Sequence, residues 1–175
     1  MNMYDDFRGR YPQSSQGVYS TAQICLNGHV INSMVEKYPE SNKQFCNECG
    51  EKTIISCPKC NAKIKGSYEL PRVVNFSPYE KSAFCDSCGT AYPWTQRTQE
   101  AVNELIEFSE KLNQEEKADF KQSVKDLITE TPKTKVAAVK FKAYAQKVGK
   151  EIAGGIKEII IDVVSETVKK SIWGG

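Results

Sequence analysis

The sequence predicts two unlike halves: a small metal-stabilised β region over residues 24–94, followed by an all-α helical bundle over residues 95–175. Three observations carry that expectation. All 7 cysteines and the single histidine lie between Cys25 and Cys88. From Trp94 onward there is neither, and apolar residues recur at the helical period instead. The chain has 175 residues, a length that suits one domain or two small ones.

The bulk composition narrows the function. Hydrophobic residues make up 39% and charged residues 26% of the chain, the balance of a folded protein. Lys and Arg number 24 against 22 acids, a formal charge of +2. The balance is even by region, with 10 basic and 9 acidic side chains over residues 1–96 and 14 and 13 over residues 97–175. A dedicated duplex-DNA binder needs a strong positive field, and none is present. No stretch approaches the roughly 20 apolar residues of a membrane helix, so no membrane span is expected. Residues 1–23 hold no signal-peptide core and read as a disordered tail, which places the protein in the cytoplasm. In that reducing compartment, paired cysteines favour metal over disulfides.

The β region is defined by four chelating pairs in order: Cys25-x3-His29, Cys46-x2-Cys49, Cys57-x2-Cys60 and Cys85-x2-Cys88. Eight donors divide into two tetrahedral sets with none left over, as two zinc ions per chain would require. The x2 spacing lets two thiolates on one tight turn hold one ion. Such a turn needs a residue that tolerates left-handed backbone angles. Gly28, Gly50, Asn61 and Gly89 stand at or beside the four turns. Pairing in sequence order closes short loops at low entropic cost; interleaved pairing is the rival arrangement.

The phrases CLNGH, FCNECG, SCPKC and FCDSCG resemble the knuckles of double zinc ribbon proteins, over Ile24 to Trp94. The resemblance implies two tandem zinc ribbons with structural zinc. The whole chain is also similar to an uncharacterised bacterial family of ribbons followed by helices, a likeness that brings no activity with it. The stretch between Cys60 and Cys85, residues 61–84, is a long insert that carries Pro71 and Pro78.

The second half reads as four helices. The first runs from about Thr95 to Leu112, with Val102, Leu105 and Ile106 on one face. Asn113 three residues before Glu116 forms a capping box for the next, which carries Phe120, Val124, Leu127 and Ile128. Thr131-Pro132 marks a third start, with an apolar stripe from Val136 to Ile152. Gly154-Gly155 then interrupts the pattern, and a last helix carries Ile156, Ile160, Val164, Val168 and Ile172. Gly174-Gly175 reads as the stop after Trp173.

Catalysis is not expected. Both donor sets fill to four, whereas a catalytic zinc keeps an open position. The lone histidine is claimed by one set, so none remains to activate a nucleophile. The expected function is a protein-binding adaptor or scaffold, with self-association through the C-terminal helices as a further use of their apolar face. The alternative is a single-strand or RNA binder that stacks bases on aromatics amid cations. The candidate contacts are Lys63, Lys65, Tyr68, Arg72, Tyr92 and Trp94, with Phe76 and Tyr79 beside them.

Overall fold

The computed structural model describes residues 17–70 and 78–174. Its β content is small. Strand β1, Val18–Thr21, pairs antiparallel with β5, Lys65–Glu69. Strand β2, Gln23–Cys25, lies between β3, Val30–Asn32, and β4, Thr53–Ile54.

The expected tail therefore ends earlier than Gln23, because Val18–Thr21 is a strand. Four residues are too few to show alternation in the sequence. What orders them is tertiary. Gly66 of β5 packs against backbone, and a Cβ there would lie 2.2 Å from the Ser33 carbonyl oxygen and 2.8 Å from the Thr21 carbonyl carbon. Glu36 clamps the same place. Its carboxylate accepts from the Thr21 backbone N–H at 2.9 Å and from the Thr21 hydroxyl, and it meets Lys63 Nζ at 2.9 Å. Those contacts, the Thr21 hydroxyl first, hold the Glu36 carboxyl at about 2.

Buried amides replace the missing ladders. Gln23 donates to the Lys43 carbonyl at 2.9 Å and accepts from the Lys43 N–H at 2.9 Å. Asn32 donates to the Tyr38 carbonyl at 2.8 Å and accepts from the Met34 N–H at 2.9 Å. Each fixes a loop that has no strand partner, and each buried polar group is thereby satisfied. The small core beneath consists of Ala22, Ile24, Ile64, Tyr92 and Trp94, with Cys57 and Cys85.

The second half contains five helices: α1 Pro93–Glu107, α2 Gln114–Thr129, α3 Thr134–Val148, α4 Lys150–Ile160 and α5 Glu166–Trp173. The capping box is present: Glu116 N–H donates to Asn113 Oδ1 at 2.9 Å, and Asn113 N–H to Glu116 Oε2 at 3.1 Å. Thr131 and Pro132 form a turn before α3 rather than its first residues.

The count of four helices is corrected at two points. The chain breaks at Gly149, whose φ of 99° turns α3 into α4, and it stays helical through Gly154-Gly155. Glycine weakens a helix without ending it when packing holds the turn together. Gly155 is packed so closely that a Cβ would lie 3.2 Å from Leu105 Cδ1 of α1. The second break falls over 161–165, where Ser165 caps α5 by accepting from the Val168 N–H at 3.3 Å. The apolar stripe runs straight across that break and hides it in the sequence.

Phe120, Val124, Leu127, Phe141, Ile156 and Ile160 form the centre of the bundle. The halves are joined through α1. Trp94 in its first turn donates from Nε1 to the Ser82 carbonyl at 3.0 Å, and Thr95 donates to the Ala83 carbonyl at 2.8 Å. Phe84 packs on the helical core, and Val163 packs against both cores.

Ile160 is 0% exposed in that core. Ile160→Ala is expected to lower unfolding free energy by about 2–5 kcal/mol, read from urea denaturation followed by circular dichroism. Glu36→Gln is expected to remove stability near neutral pH. The depressed carboxyl contributes above its unfolded pKa and loses that contribution as the pH falls towards about 2. The difference between variant and wild type in thermal melts should therefore shrink on acidification.

Candidate metal centres

Three of the four turns share one backbone design. The first cysteine accepts at its carbonyl from the N–H four residues on: Gly50 to Cys46 at 2.9 Å, Asn61 to Cys57 at 2.9 Å, and Gly89 to Cys85 at 2.8 Å. Its own N–H donates to the carbonyl five residues on: Glu51, Ala62 and Thr90 at 2.8, 2.8 and 2.9 Å. The fourth residue after that cysteine takes a positive φ, 72° at Gly50, 61° at Asn61 and 68° at Gly89. The flanks then meet as isolated bridges, Phe45 with Lys52, Ser56 with Lys63 and Phe84 with Ala91. The tight turn brings both side chains of the pair to one side.

The Cys25 turn differs. Gly28 N–H donates to the Cys25 carbonyl at 2.8 Å, and Cys25 N–H to the His29 carbonyl at 3.0 Å. Gly28 has φ 93°, and a Cβ there would lie 2.9 Å from Trp94 Cβ. This turn is thus pressed against the start of α1, whose Arg97 reaches back to Asn27 and lies 2.7 Å from Glu51.

The eight side chains come together as two groups of four: Cys25, His29, Cys46 and Cys49, then Cys57, Cys60, Cys85 and Cys88. The grouping follows sequence order. Within each group every donor atom lies within 4.8 Å of the others. Cys25 and Cys49 sulfurs are 3.8 Å apart, Cys57 and Cys88 3.8 Å, and Cys60 and Cys85 3.7 Å. A disulfide would bring sulfurs to about 2.05 Å. A tetrahedron around an ion with metal–sulfur bonds of about 2.3 Å has edges of about 3.8 Å, and about 3.5 Å where one donor is an imidazole nitrogen. His29 Nδ1 lies 3.5 Å from Cys25 Sγ, 3.5 Å from Cys46 Sγ and 3.3 Å from Cys49 Sγ. Each group has the dimensions of a four-coordinate site.

His29 turns Nδ1 inward, which leaves Nε2 outward, 3.6 Å from Glu48 Oε2. That carboxylate stands beside the outward face of the ring, a neighbour the spacing of the ligands did not reveal. Asn27 Nδ2 to Cys49 Sγ at 3.5 Å is a second such contact. Both residues sit inside the turns, which was the available signal. The sulfurs also receive backbone N–H groups, from His29 to Cys25 Sγ at 3.2 Å and from Glu48 to Cys46 Sγ at 3.4 Å.

Without a cation, the crowded thiols, three in the first group and four in the second, cannot ionise together. Cys49 is drawn down to about 6, chiefly by the Glu51 N–H, and Cys88 to about 6 by the Thr90 hydroxyl and then its N–H. Cys60 is pushed up to about 12: the Ala62 N–H pulls it down, but burial and the thiols of Cys88, Cys85 and Cys57 outweigh that pull. One divalent ion at the centre of each group removes the conflict, because every cysteine donor can then be a thiolate, beside the neutral His29 imidazole in the first group.

The six candidate contact residues are not one surface. Tyr92 and Trp94 are each 2% exposed, stacked at 4.5 Å in the core beneath the turns, so a docked ligand does not reach them. Lys63 is paired with Glu36, and Lys65 with Asp86 at 2.6 Å. Tyr68 is half-exposed and leans on Tyr19, with ring centroids 4.8 Å apart. Tyr79 donates to the Lys65 carbonyl at 2.7 Å. Arg72 and Phe76 lie outside the described residues.

The fold and its donor clusters define a chain built on two candidate metal centres and joined through one helix to a bundle of five. The chain belongs to the family described as uncharacterized protein conserved in bacteria (DUF2321), whose model matches residues 18–172. No curated protein and no solved structure matches it. Among the described residues, no helix is long and apolar enough to cross a membrane.

The turns make a graded prediction. Gly28→Ala faces both a positive φ and the Trp94 side chain, whereas a Cβ at Gly50 meets nothing within 4 Å. Gly50→Ala should cost about 1–2 kcal/mol from backbone strain alone, and Gly28→Ala distinctly more, as read from the melting temperatures of the two variants.

Proposed function

We propose that this chain is a non-catalytic zinc-binding interaction module, in which two zinc ions hold a double ribbon and the ribbon and helices together hold a protein partner. The observation that carries it is the closed donor set at each centre. Seven cysteines and the only histidine fill two tetrahedra, so neither ion keeps a position for water or substrate. Thiolate donors at these edge lengths suit zinc, and thiolate-rich sites of this kind are structural. No second histidine remains to act as a general base.

Protein rather than nucleic acid is the partner that the surface favours. Two of the aromatics that a base-stacking platform would use are buried, and Lys63 and Lys65 are held by carboxylates. The half-exposed Tyr19–Tyr68 pair, with Lys65 Nζ 5.1 Å from the Tyr19 ring centroid, is the feature that speaks for nucleic acid. It offers one stacking step, not a track along a strand.

Protein purified without added metal should contain two zinc ions per chain by elemental analysis. Cys57→Ser should reduce that to one and loosen the second ribbon, leaving the helical circular dichroism largely intact. A native chain with no zinc and freely titrating thiols would defeat the metal reading. An affinity pull-down with and without nuclease tests the partner class: capture that survives nuclease is the expected result, and capture abolished by nuclease would shift the reading to RNA or single strands.

A further inference from the structure

An open groove of about 630 Å3 lies between the C-terminal half of α3, the first turns of α4 and the end of α5. Small, half-buried residues line its floor, Ala145, Ala153 and Gly154, beside the buried Ile172. Phe141 and Trp173 wall one side, edge to face with centroids 6.3 Å apart. Lys142, Lys150 and Lys157 are exposed on the rim, and no carboxylate lines the groove. Lys157 Nζ lies 5.4 Å from the Trp173 ring centroid, which braces that wall.

Gly154 is the residue that internal packing does not explain. Glycine is a poor helix former, and this one sits inside α4. At Gly155 the close approach of Leu105 requires it, but a Cβ at Gly154 would meet nothing within 4 Å. No described side chain fills the space that Gly154 leaves. The effect of the missing side chain is to keep the groove floor open.

We propose that this groove docks an amphipathic helix of a partner protein, with its apolar edge on the Ala–Gly floor and its carboxylates against Lys142, Lys150 and Lys157. The inference rests on the reading of the chain as a protein-binding module. Charge selects the partner: an apolar floor ringed by three lysines and no acid fits an acidic helix and repels a basic one. Shape selects it again. A bilayer takes up protruding apolar side chains, whereas a groove lined by small residues leaves room for the knobs of a helix laid into it.

The test uses the full chain as purified and a fluorescein-labelled synthetic helix of about 18 residues, with Leu at i, i+3, i+4 and i+7 and Glu and Ala elsewhere. Its twin carries Lys in place of Glu. Fluorescence anisotropy should show the acidic peptide binding at least about tenfold more tightly than the twin. Gly154→Leu fills the floor at an open helical position, so it should keep the circular dichroism and melting temperature while weakening the acidic peptide by about tenfold or more. The double variant Lys150→Glu/Lys157→Glu should reverse the preference between the peptides. Equal binding of both peptides, or of wild type and Gly154→Leu, would overturn the proposal. So would failure of both peptides, whether or not phosphatidylglycerol vesicles sediment the protein; vesicle binding would name a bilayer as the occupant instead. If the peptides fail while a nuclease-resistant partner is still captured, the groove assignment falls and the adaptor reading stands on another face.

Discussion

The N-terminal half depends on closing two loops, one from Cys25 to Cys49 and one from Cys57 to Cys88, at their donor clusters. Its strands run only two to five residues, and its apolar core is a handful of side chains around Trp94. So little buried surface does not offset the entropy of ordering the segments between the turns. Hydrogen-bonded amides such as Gln23 and Asn32 fix loop shapes, but each contributes only about 0.5–1.5 kcal/mol net. A structural zinc ion contributes on the order of 10 kcal/mol or more when it binds such a site. Everything else in this half is arranged to present the donors. The positive φ at Gly50, Asn61 and Gly89 lets each turn close, and the amide bonds to sulfur aim it.

The candidate site was legible because metal ligation writes itself into spacing. Eight donors in four pairs, each pair beside a residue that accepts left-handed angles, leave few arrangements, and the groups follow sequence order. The ring orientation of His29 was not legible, since ligand spacing does not say which ring nitrogen faces the other donors. Of the two roles open to the aromatics, a contact surface or the shielding of a small core, Tyr92 and Trp94 take the second. They fold inward because this half has almost nothing else to bury. Aromatic residues near cations suggest a ligand surface only where the core has other material.

In the helical half, the stretches with strong local signals came through and those governed by packing did not. Asn113 and Glu116 form the capping box their spacing implies, and the face from Phe120 to Ile128 is buried. The breaks were misplaced because local propensity pointed at the wrong glycines. Gly149 ends a helix, while Gly154-Gly155 continues one. The difference lies in the neighbours: Leu105 of α1 presses on Gly155 and the helix is held, whereas at Gly149 the chain must change direction between α3 and α4. The break before Ser165 is hidden because apolar residues on both sides face one core.

The joint ties the half that carries the two donor groups to the helical bundle. Trp94 belongs to both. It is the second residue of α1, it donates to the loop before Cys85, and it lies under the Gly28 turn of the first donor group. Arg97, one turn further along α1, reaches Asn27 and Glu51, which flank that same group. The first turn of α1 therefore takes its position from both donor groups, and α1 in turn fixes α4 through Gly155. Trp94 thus meets the surroundings of both donor groups, and Leu105 further along α1 meets Gly155 of the helix that lines the Ala–Gly groove. One continuous series of packed contacts therefore runs from the donor groups to the groove, and α1 is the element that every step of it shares.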